Sequence, residues 1–288
     1  MSGTAASSEN DSSMGAWRPL RIDIAPALVD ARLQIHHAAQ LATALGISYL
    51  QKKADDSHTN LTWNDELSAL VSNAVRGRDE IRIGVSIAPF ALVVLVNGRA
   101  RASLPLHGRT IADAAEWARE HLTAFGLDAT RYTLAKHYTI PTHAVDTGAP
   151  FDASKSGEFE QLAAWYSDAS IVLEEFVARM PHAAPVRCWP HHFDIATLID
   201  FGHGKSVSLG MEPGDVYYGE PYYYASTYPR PRAELTRPPL AGDGRWHTHE
   251  WIGAVLPASS VGEREQRGQI EAFVESALTA TRELLSHS

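Results

Sequence analysis

The chain has almost no cysteine, since Cys188 is the only one among its 288 residues. No intrachain disulfide can form, and a zinc site built from four cysteines is excluded. A chain without disulfides fits a reducing compartment, so we expect a cytoplasmic protein. A nucleophilic thiol at Cys188 is one interpretation, but a lone cysteine is more often a buried core residue.

Other absences remove further classes of function. No apolar run approaches the roughly 18 residues that a membrane-spanning helix needs, so we expect no membrane partner. Basic residues number 25 against 34 acidic ones and form no stripe, which argues against nucleic acid as a partner. No glycine-rich loop of the kind that cradles nucleotide phosphates is present. Residues 1–15 lack the features of a signal peptide, and their small polar composition predicts a disordered tail.

What the chain does contain is a series of segments with clear periodicity. Apolar residues at helical spacing predict helices over 28–50, 65–76, 109–126, 157–180 and 264–285. Period-two alternation predicts strands between them, including a hairpin that turns at Asn97–Gly98. In the second half, WPHHFDIATLI, SVSLGM, EPYYYASTY and WHTHEWIGAVLP have strand-like composition. This pattern predicts an α+β fold with antiparallel sheet layers and helices packed on one face.

The order of helix, strands and helix occurs twice along the chain. We therefore divide it into an N-terminal half over 16–150 and a C-terminal half over 151–288, and the shared rhythm suggests an internal duplication. The alternative is that α+β chains show this order without any duplication.

Two short windows, WPHHFD and WHTHEW, concentrate histidines and acids between aromatic residues. If both are strands, alternation places His192 with Asp194 on one face, and His247 with His249 on one face. Should the two pairs converge, their three imidazoles and one carboxylate would suit a divalent transition metal such as zinc, iron or manganese. The alternatives are buried histidines that are simply hydrogen-bonded, or a metal-free site in which a histidine acts as acid or base.

A third window holds six tyrosines between residues 217 and 228. Tyrosine rings offer flat apolar faces with a polar tip, which suits a ring-bearing ligand, although tyrosine is also a good strand residue. The predicted ligand-binding residues are Tyr218, Tyr222, Tyr224 and Trp246. The predicted catalytic acids are Glu220 and Glu250.

Four other polar residues are assigned no function. Glu212 and Asp215 flank a predicted Pro-Gly turn, where solvated acids need no functional explanation. His36 and His37 point about 100° apart on the first predicted helix, which predicts one buried and one exposed side chain.

Four C-terminal segments together resemble an uncharacterised bacterial family of domains of unknown function: WPHHFDIATLI, SVSLGMEPGD, YYGEPYYYASTYP and GRWHTHEWIGAVLP. Members of that family carry W-P-H-H-F-D-like, E-P-[YF]-[YF]-Y and W-H-T-E-like segments. The resemblance covers nearly the whole chain after residue 15, and it implies no activity, cofactor or catalytic residue. This chain has His-Thr-His-Glu where the family pattern has His-Thr-Glu, which weakens a ligand role for His249 and shifts Glu250.

Three hypotheses of different classes follow from these residues. The leading one is a metal-assisted enzyme that hydrolyses a small molecule with metal-activated water. Its rival is a non-enzymatic protein that binds a small molecule through the tyrosines. The third is a structural domain whose role is association, either as a homo-oligomer or with a partner.

Overall fold

The computed structural model describes residues 16–232 and 234–286, so the tail predicted over residues 1–15 lies outside the described residues. Within this part of the chain, four α-helices are present. They are α1 (Val29–Tyr49), α2 (Ile111–Ala124), α3 (Ser156–Arg179) and α4 (Gln266–Ser286). None of these helices has the length and apolar character needed to cross a membrane.

The strands of the described residues form one antiparallel sheet of twelve strands, which together with the helices confirms the α+β prediction. The strands are β1 (Leu61–Asn64), β2 (Ala69–Ser72), β3 (Val75–Arg76), β4 (Glu80–Ser86), β5 (Ala91–Val96), β6 (Arg99–Pro105), β7 (Arg187–Cys188), β8 (Ile195–Asp200), β9 (Ser206–Glu212), β10 (Tyr222–Tyr228), β11 (Arg245–His247) and β12 (Gly253–Pro257). Their order is β11-β12-β10-β9-β8-β7-β1-β2-β4-β5-β6, with β3 paired to β4 outside this path.

Local sequence signals explain several element boundaries. Thr110 begins α2 with a capping box, because its side chain accepts from the Asp113 amide and Asp113 accepts from the Thr110 amide. Asn97 and Gly98 have φ of 51° and 75°, the left-handed geometry that joins β5 to β6 as predicted.

The two faces of the sheet have different environments. In β9, Val207, Leu209 and Met211 point into the core that α1, α3 and α4 cover. Ser208 and Glu212 occupy the alternate positions and therefore point to the helix-free face. The side of the sheet without helices is where the polar residues of the second half gather.

The two halves of the chain join at the centre of the sheet. The β1–β7 pairing consists of Leu61 opposite Cys188, and the strands on either side of it belong to different halves. Each half contributes helices to the same core. The internal duplication and the boundary at residue 150 stay predictions.

Three sequence predictions of secondary structure are wrong. Residues 65–76 form β2 and β3 rather than a helix. The WPHHFD window is a turn that ends one residue before β8, because Phe193 takes a φ of 76° and breaks the alternation. The WHTHEW window is a strand only up to His247, since Glu250 has a φ of 64° in the turn that follows.

Candidate functional site

An open cleft of about 570 Å³ lies on the helix-free face of the sheet. Its floor consists of alternate residues of β8, β9 and β10, including Ser208 and Tyr224. Its walls come from the turn before β8, which contributes Trp189, and from Trp251 in the turn before β12.

Two carboxyl groups lie side by side on the cleft floor. Ile195 pairs with Met211 in the β8–β9 ladder, so the next positions place Asp194 beside Glu212 on the same face. Both are buried, with 5% and 7% exposure respectively, and both line the cleft. Asp194 accepts a hydrogen bond from the Tyr224 hydroxyl through Oδ2. Its other oxygen, Oδ1, is buried without a hydrogen-bond partner.

Burial controls the protonation of this carboxyl pair. Loss of hydration raises the pKa of Asp194, against the opposing effects of the Tyr224 hydrogen bond and of His192. The pKa of Glu212 is raised well above its usual range by burial and by the neighbouring Asp194 and Asp215, while Arg32 opposes the rise. The pair therefore keeps a proton at pH values where exposed carboxyls are ionised.

Hydroxyl groups of β9 and β10 complete the polar floor. The Tyr224 hydroxyl lies 3.2 Å from Ser208 Oγ. Tyr222 donates to Asp215 Oδ2 over 2.9 Å. Gly210 leaves the room for this arrangement, since a Cβ there would lie 3.0 Å from Tyr224 Cε1 and 2.7 Å from the Ala196 Cβ.

The turn that delivers Asp194 is held from behind by two helices. The His36 ring of α1 stacks on Phe193 with centroids 4.5 Å apart, and its Nε2–H donates to the Pro190 carbonyl over 2.9 Å. Tyr166 of α3 donates to the Phe193 carbonyl over 2.6 Å. These bonds fix a phenylalanine in a left-handed conformation that it rarely adopts alone. His36 and His37 are both buried, so the expectation that one would be exposed is wrong.

The histidines of this turn line the cleft at its rim. His192 is exposed and His191 is half-buried, with ring centroids 4.4 Å apart. Burial lowers the pKa of His191 to about 4, and the neighbouring His192 adds to the decrease. His191 is therefore neutral at pH 7 and available as a hydrogen-bonding group at the rim.

The second histidine window takes part in a different network. His247 stacks on Trp251 with centroids 4.4 Å apart, accepts from the Tyr218 hydroxyl at Nδ1 over 3.0 Å, and donates from Nε2 to the His249 carbonyl. The nearby Glu250 accepts from the Tyr217 hydroxyl over 2.6 Å. His247 thus supports the aromatic wall at Trp251, while the His249 and Glu250 side chains are exposed.

Two other predicted site residues lie away from the cleft lining. Trp246 packs against the core and donates to the Pro238 carbonyl over 2.8 Å. Glu220 accepts from the amide and the hydroxyl of Ser259, each over 2.7 Å, and so anchors the segment after β12. Of the predicted ligand-binding residues, Tyr222 and Tyr224 line the cleft, and Tyr218 reaches it only through its contact with Tyr222.

The four predicted metal ligands do not form one cluster. His192 and Asp194 line the cleft, whereas His247 and His249 do not appear among its lining residues. Within the described ranges, no group of three or more His, Cys, Asp and Glu side chains is placed to hold a metal ion. A bound metal stays a prediction.

Glu212 is the most important site residue that the sequence analysis missed. The prediction of a solvated acid at this position is wrong, because Glu212 is the last residue of β9 and its alternation turns it onto the cleft floor. The alternation of Val207, Leu209 and Met211 in the sequence could have revealed this. Cys188 is fully buried, and burial raises the pKa of its thiol well above the usual range, which argues against a nucleophile.

No family model matches this chain, and neither a curated protein nor a solved structure gives a significant match. The resemblance seen in the sequence therefore supplies no residue role.

Proposed function

We propose that the protein binds a small organic molecule in this cleft, with the Asp194–Glu212 pair as its polar anchor. One observation carries the proposal: Asp194 is 5% exposed and lines the cleft, yet its Oδ1 has no hydrogen-bond partner. A buried unsatisfied carboxyl oxygen is costly for folding, so its presence in a cleft calls for an explanation, and a ligand donor supplies one.

The size and the walls of the cleft support the same proposal. Its volume of about 570 Å³ falls within the range of small-molecule sites, roughly 300–1,000 Å³. Aromatic side chains stand beside the acids, and they are Trp189, Tyr222, Tyr224 and Trp251. This combination of apolar faces and a few convergent polar groups is typical of ligand sites.

Hydrolysis of the bound molecule is the second candidate function, and the perturbed carboxyl pair favours it. A protonated Glu212 can donate to a leaving group while an ionised Asp194 accepts a proton from water. Pairs of acids with shifted pKa values are common in active sites, although structural pairs also show such shifts. The metal-assisted form of this reaction would need ligands beyond those that the described residues bring together.

A thermal-shift screen of a compound library tests the binding proposal. Compounds that bind in the cleft should stabilise the wild type and the control Asp200→Asn, which changes an exposed carboxylate at the other end of β8. They should lose most of this effect in Asp194→Asn and in Ser226→Trp, which fills the cleft from β10. Unchanged stabilisation of both cleft variants would refute the proposal.

Incubation of the compounds that bind separates the two candidate functions. Product detected by mass spectrometry, and lost in Glu212→Gln while binding persists, identifies an acid–base hydrolase, because this variant removes the proposed proton donor and keeps Asp194. Binding without product identifies a binding protein. Elemental analysis of chelator-free protein tests the predicted zinc, iron or manganese in the same samples.

A further inference from the structure

We infer that the ligand of this cleft is a small organic cation, such as an amine, whose positive charge lies against Asp194 and Glu212. The inference rests on the proposed binding function and names the chemical class of the ligand. It commits to an organic cation rather than an anion, a neutral molecule or a metal ion.

The charge of the cleft lining is one-sided. The lining contains five acidic side chains, which are Asp55, Asp56, Asp194, Glu212 and Asp215. No lysine or arginine is present among the lining residues in the described part of the chain. An excess of acids over bases in a low-dielectric cleft attracts cations and disfavours anions.

One buried cation, Arg32 of α1, lies close behind this lining. It is 8% exposed, and a Cβ on Gly214 would lie 2.2 Å from its Nη1, so it sits behind the loop that follows β9. Its charge faces Glu212 and Asp215 and compensates only part of the acidic charge. The single positive charge of Arg32 therefore faces a group of three carboxyls, since Asp194 lies beside Glu212.

The other titratable groups around the pair do not add a cation behind it. Burial raises the pKa values of Tyr166 on α3 and Cys188 on β7, so both stay neutral. Tyr222 and Tyr224 on β10 likewise stay neutral because burial raises their pKa values. Burial lowers the pKa of His191 to about 4, so this ring also stays neutral, and His192 is exposed at the rim.

Asp194 differs from an exposed acidic residue because it is buried in the cleft floor. Asp194 lines the cleft, its Oδ2 is occupied by the Tyr224 hydroxyl, and its Oδ1 is buried without a hydrogen-bond partner. An ammonium group carries three donors and no acceptor, which complements a carboxyl oxygen that lacks a donor.

The aromatic walls select an organic cation over a bare metal ion. Trp189, Tyr222, Tyr224 and Trp251 border the same space, and aromatic faces attract organic cations through cation–π interaction. A transition metal would instead require three or more protein ligands, which the described residues do not assemble.

Binding of a cation changes the protonation of the pair without any covalent step in the ligand. The incoming positive charge favours the ionised carboxyls, so a carboxyl O–H bond breaks and its proton passes to the buffer. The affinity for the cation therefore rises with pH until the pair is fully ionised, up to about tenfold per pH unit for one released proton.

Titration calorimetry with three probes of matched size tests the inference: benzylamine, benzyl alcohol and benzoate. At pH 7 we expect benzylamine to bind about tenfold more tightly than the alcohol, and benzoate more weakly than both. The titration is repeated in phosphate and in HEPES, whose ionisation enthalpies differ. The difference between the two measured binding enthalpies gives the number of protons released. Asp194→Asn combined with Glu212→Gln should abolish the preference for the amine, while Asp200→Asn should keep it.

Several results would overturn the inference and still leave the binding proposal intact. One such result is equal affinity of benzylamine and either benzyl alcohol or benzoate, and another is stoichiometric binding of zinc chloride alone that depends on Asp194. Asp194-dependent binding of neutral or anionic library compounds, with no binding of benzylamine, would also exclude the organic cation. Only library binding that ignores both Asp194→Asn and Ser226→Trp would refute the cleft function itself.

Discussion

His36 makes the site-forming turn sensitive to acid, and the size of the effect follows from its burial. The imidazole is 4% exposed, stacks on Phe193 and donates to the Pro190 carbonyl. Burial lowers its pKa from 6.5 to about 3, with the Pro190 hydrogen bond opposing the decrease. The folded protein therefore holds His36 neutral down to a pH at which the unfolded chain has already protonated it.

The free energy of unfolding falls as the pH drops through this window. Between pH 6.5 and pH 3 the unfolded state binds a proton at His36 that the folded state rejects, so acid stabilises the unfolded state. At pH 5 protonation favours the unfolded state about 30-fold, which corresponds to a loss of about 2 kcal/mol relative to pH 8. The loss is complete only below the folded pKa of about 3.

The contribution of His36 to the free energy of unfolding can be measured by urea unfolding at pH 8 and pH 5. The proteins compared are the wild type, His36→Gln and the exposed control His249→Gln. His36→Gln has a constant cost from lost stacking, but its cost should be about 2 kcal/mol smaller at pH 5 than at pH 8. Burial raises the pKa of Asp168 to about 7, so the folded protein binds this proton more tightly than the unfolded chain does. Asp168 therefore stabilises the fold at acidic pH, which is the opposite of the effect of His36. That contribution is common to wild type and variant and cancels in their difference.

An equal cost of His36→Gln at the two pH values would refute this reasoning. It would mean that the ring is protonated in the folded protein, or that the turn opens and hydrates it before the rest of the protein unfolds. The His249→Gln control should show no comparable pH-dependent difference, since its side chain is exposed.

Three further substitutions test the cleft floor and the loop behind it. Glu212→Gln removes a carboxyl whose pKa is raised by burial, and the wild type loses stability as the pH rises and this carboxyl gives up its proton. In urea titrations the free energy of unfolding of the variant, relative to that of the wild type, should therefore increase from pH 5 to pH 8, and a decrease would contradict the raised pKa. Tyr224→Phe removes the donor to Asp194 and should cost about 1.5–3 kcal/mol in the same assay, whereas no loss would mean that the hydrogen bond contributes nothing. Gly214→Ala should lower the melting temperature more than Gly204→Ala. Gly214 has a φ of 114°, and its new methyl group would lie 2.2 Å from Nη1 of the buried Arg32, whereas Gly204 has a φ of 71° and no atom within 4 Å of the new methyl group. Equal shifts for the two alanine variants would rule out crowding at residue 214.

The fold could be predicted where a periodic signal was long. The apolar spacing over 28–50 and over 109–126 corresponds to α1 and α2. The helix predicted over residues 65–76 was wrong, because a few apolar residues such as Leu70 and Val71 fit a strand as well as a helix turn. Its pairing with β1 and β4 decided the outcome, and no local pattern contains that information.

The site was harder to predict because distant segments build it. Phe193 adopts its left-handed conformation in a turn that is held by a hydrogen bond from His36 to the Pro190 carbonyl. These two residues are 154 positions apart in the sequence. Nothing in the letters WPHHFD indicates a positive φ at a phenylalanine. The alternation of β9 could reveal that Glu212 faces away from the core, but its position beside Asp194 follows only from the register of β8 with β9.

The same strands carry both the core and the cleft, and this arrangement affects how such a protein can change over evolutionary time. Along β9, Val207, Leu209 and Met211 hold the helices, while Ser208 and Glu212 face the cleft. Because the two sets alternate, a lineage can replace cleft residues one at a time without disturbing the packing of their neighbours. The chemistry of the cleft lining can therefore diverge on this sheet while the architecture stays constant. Gly210 is the exception, since any side chain there would meet both Ala196 and Tyr224.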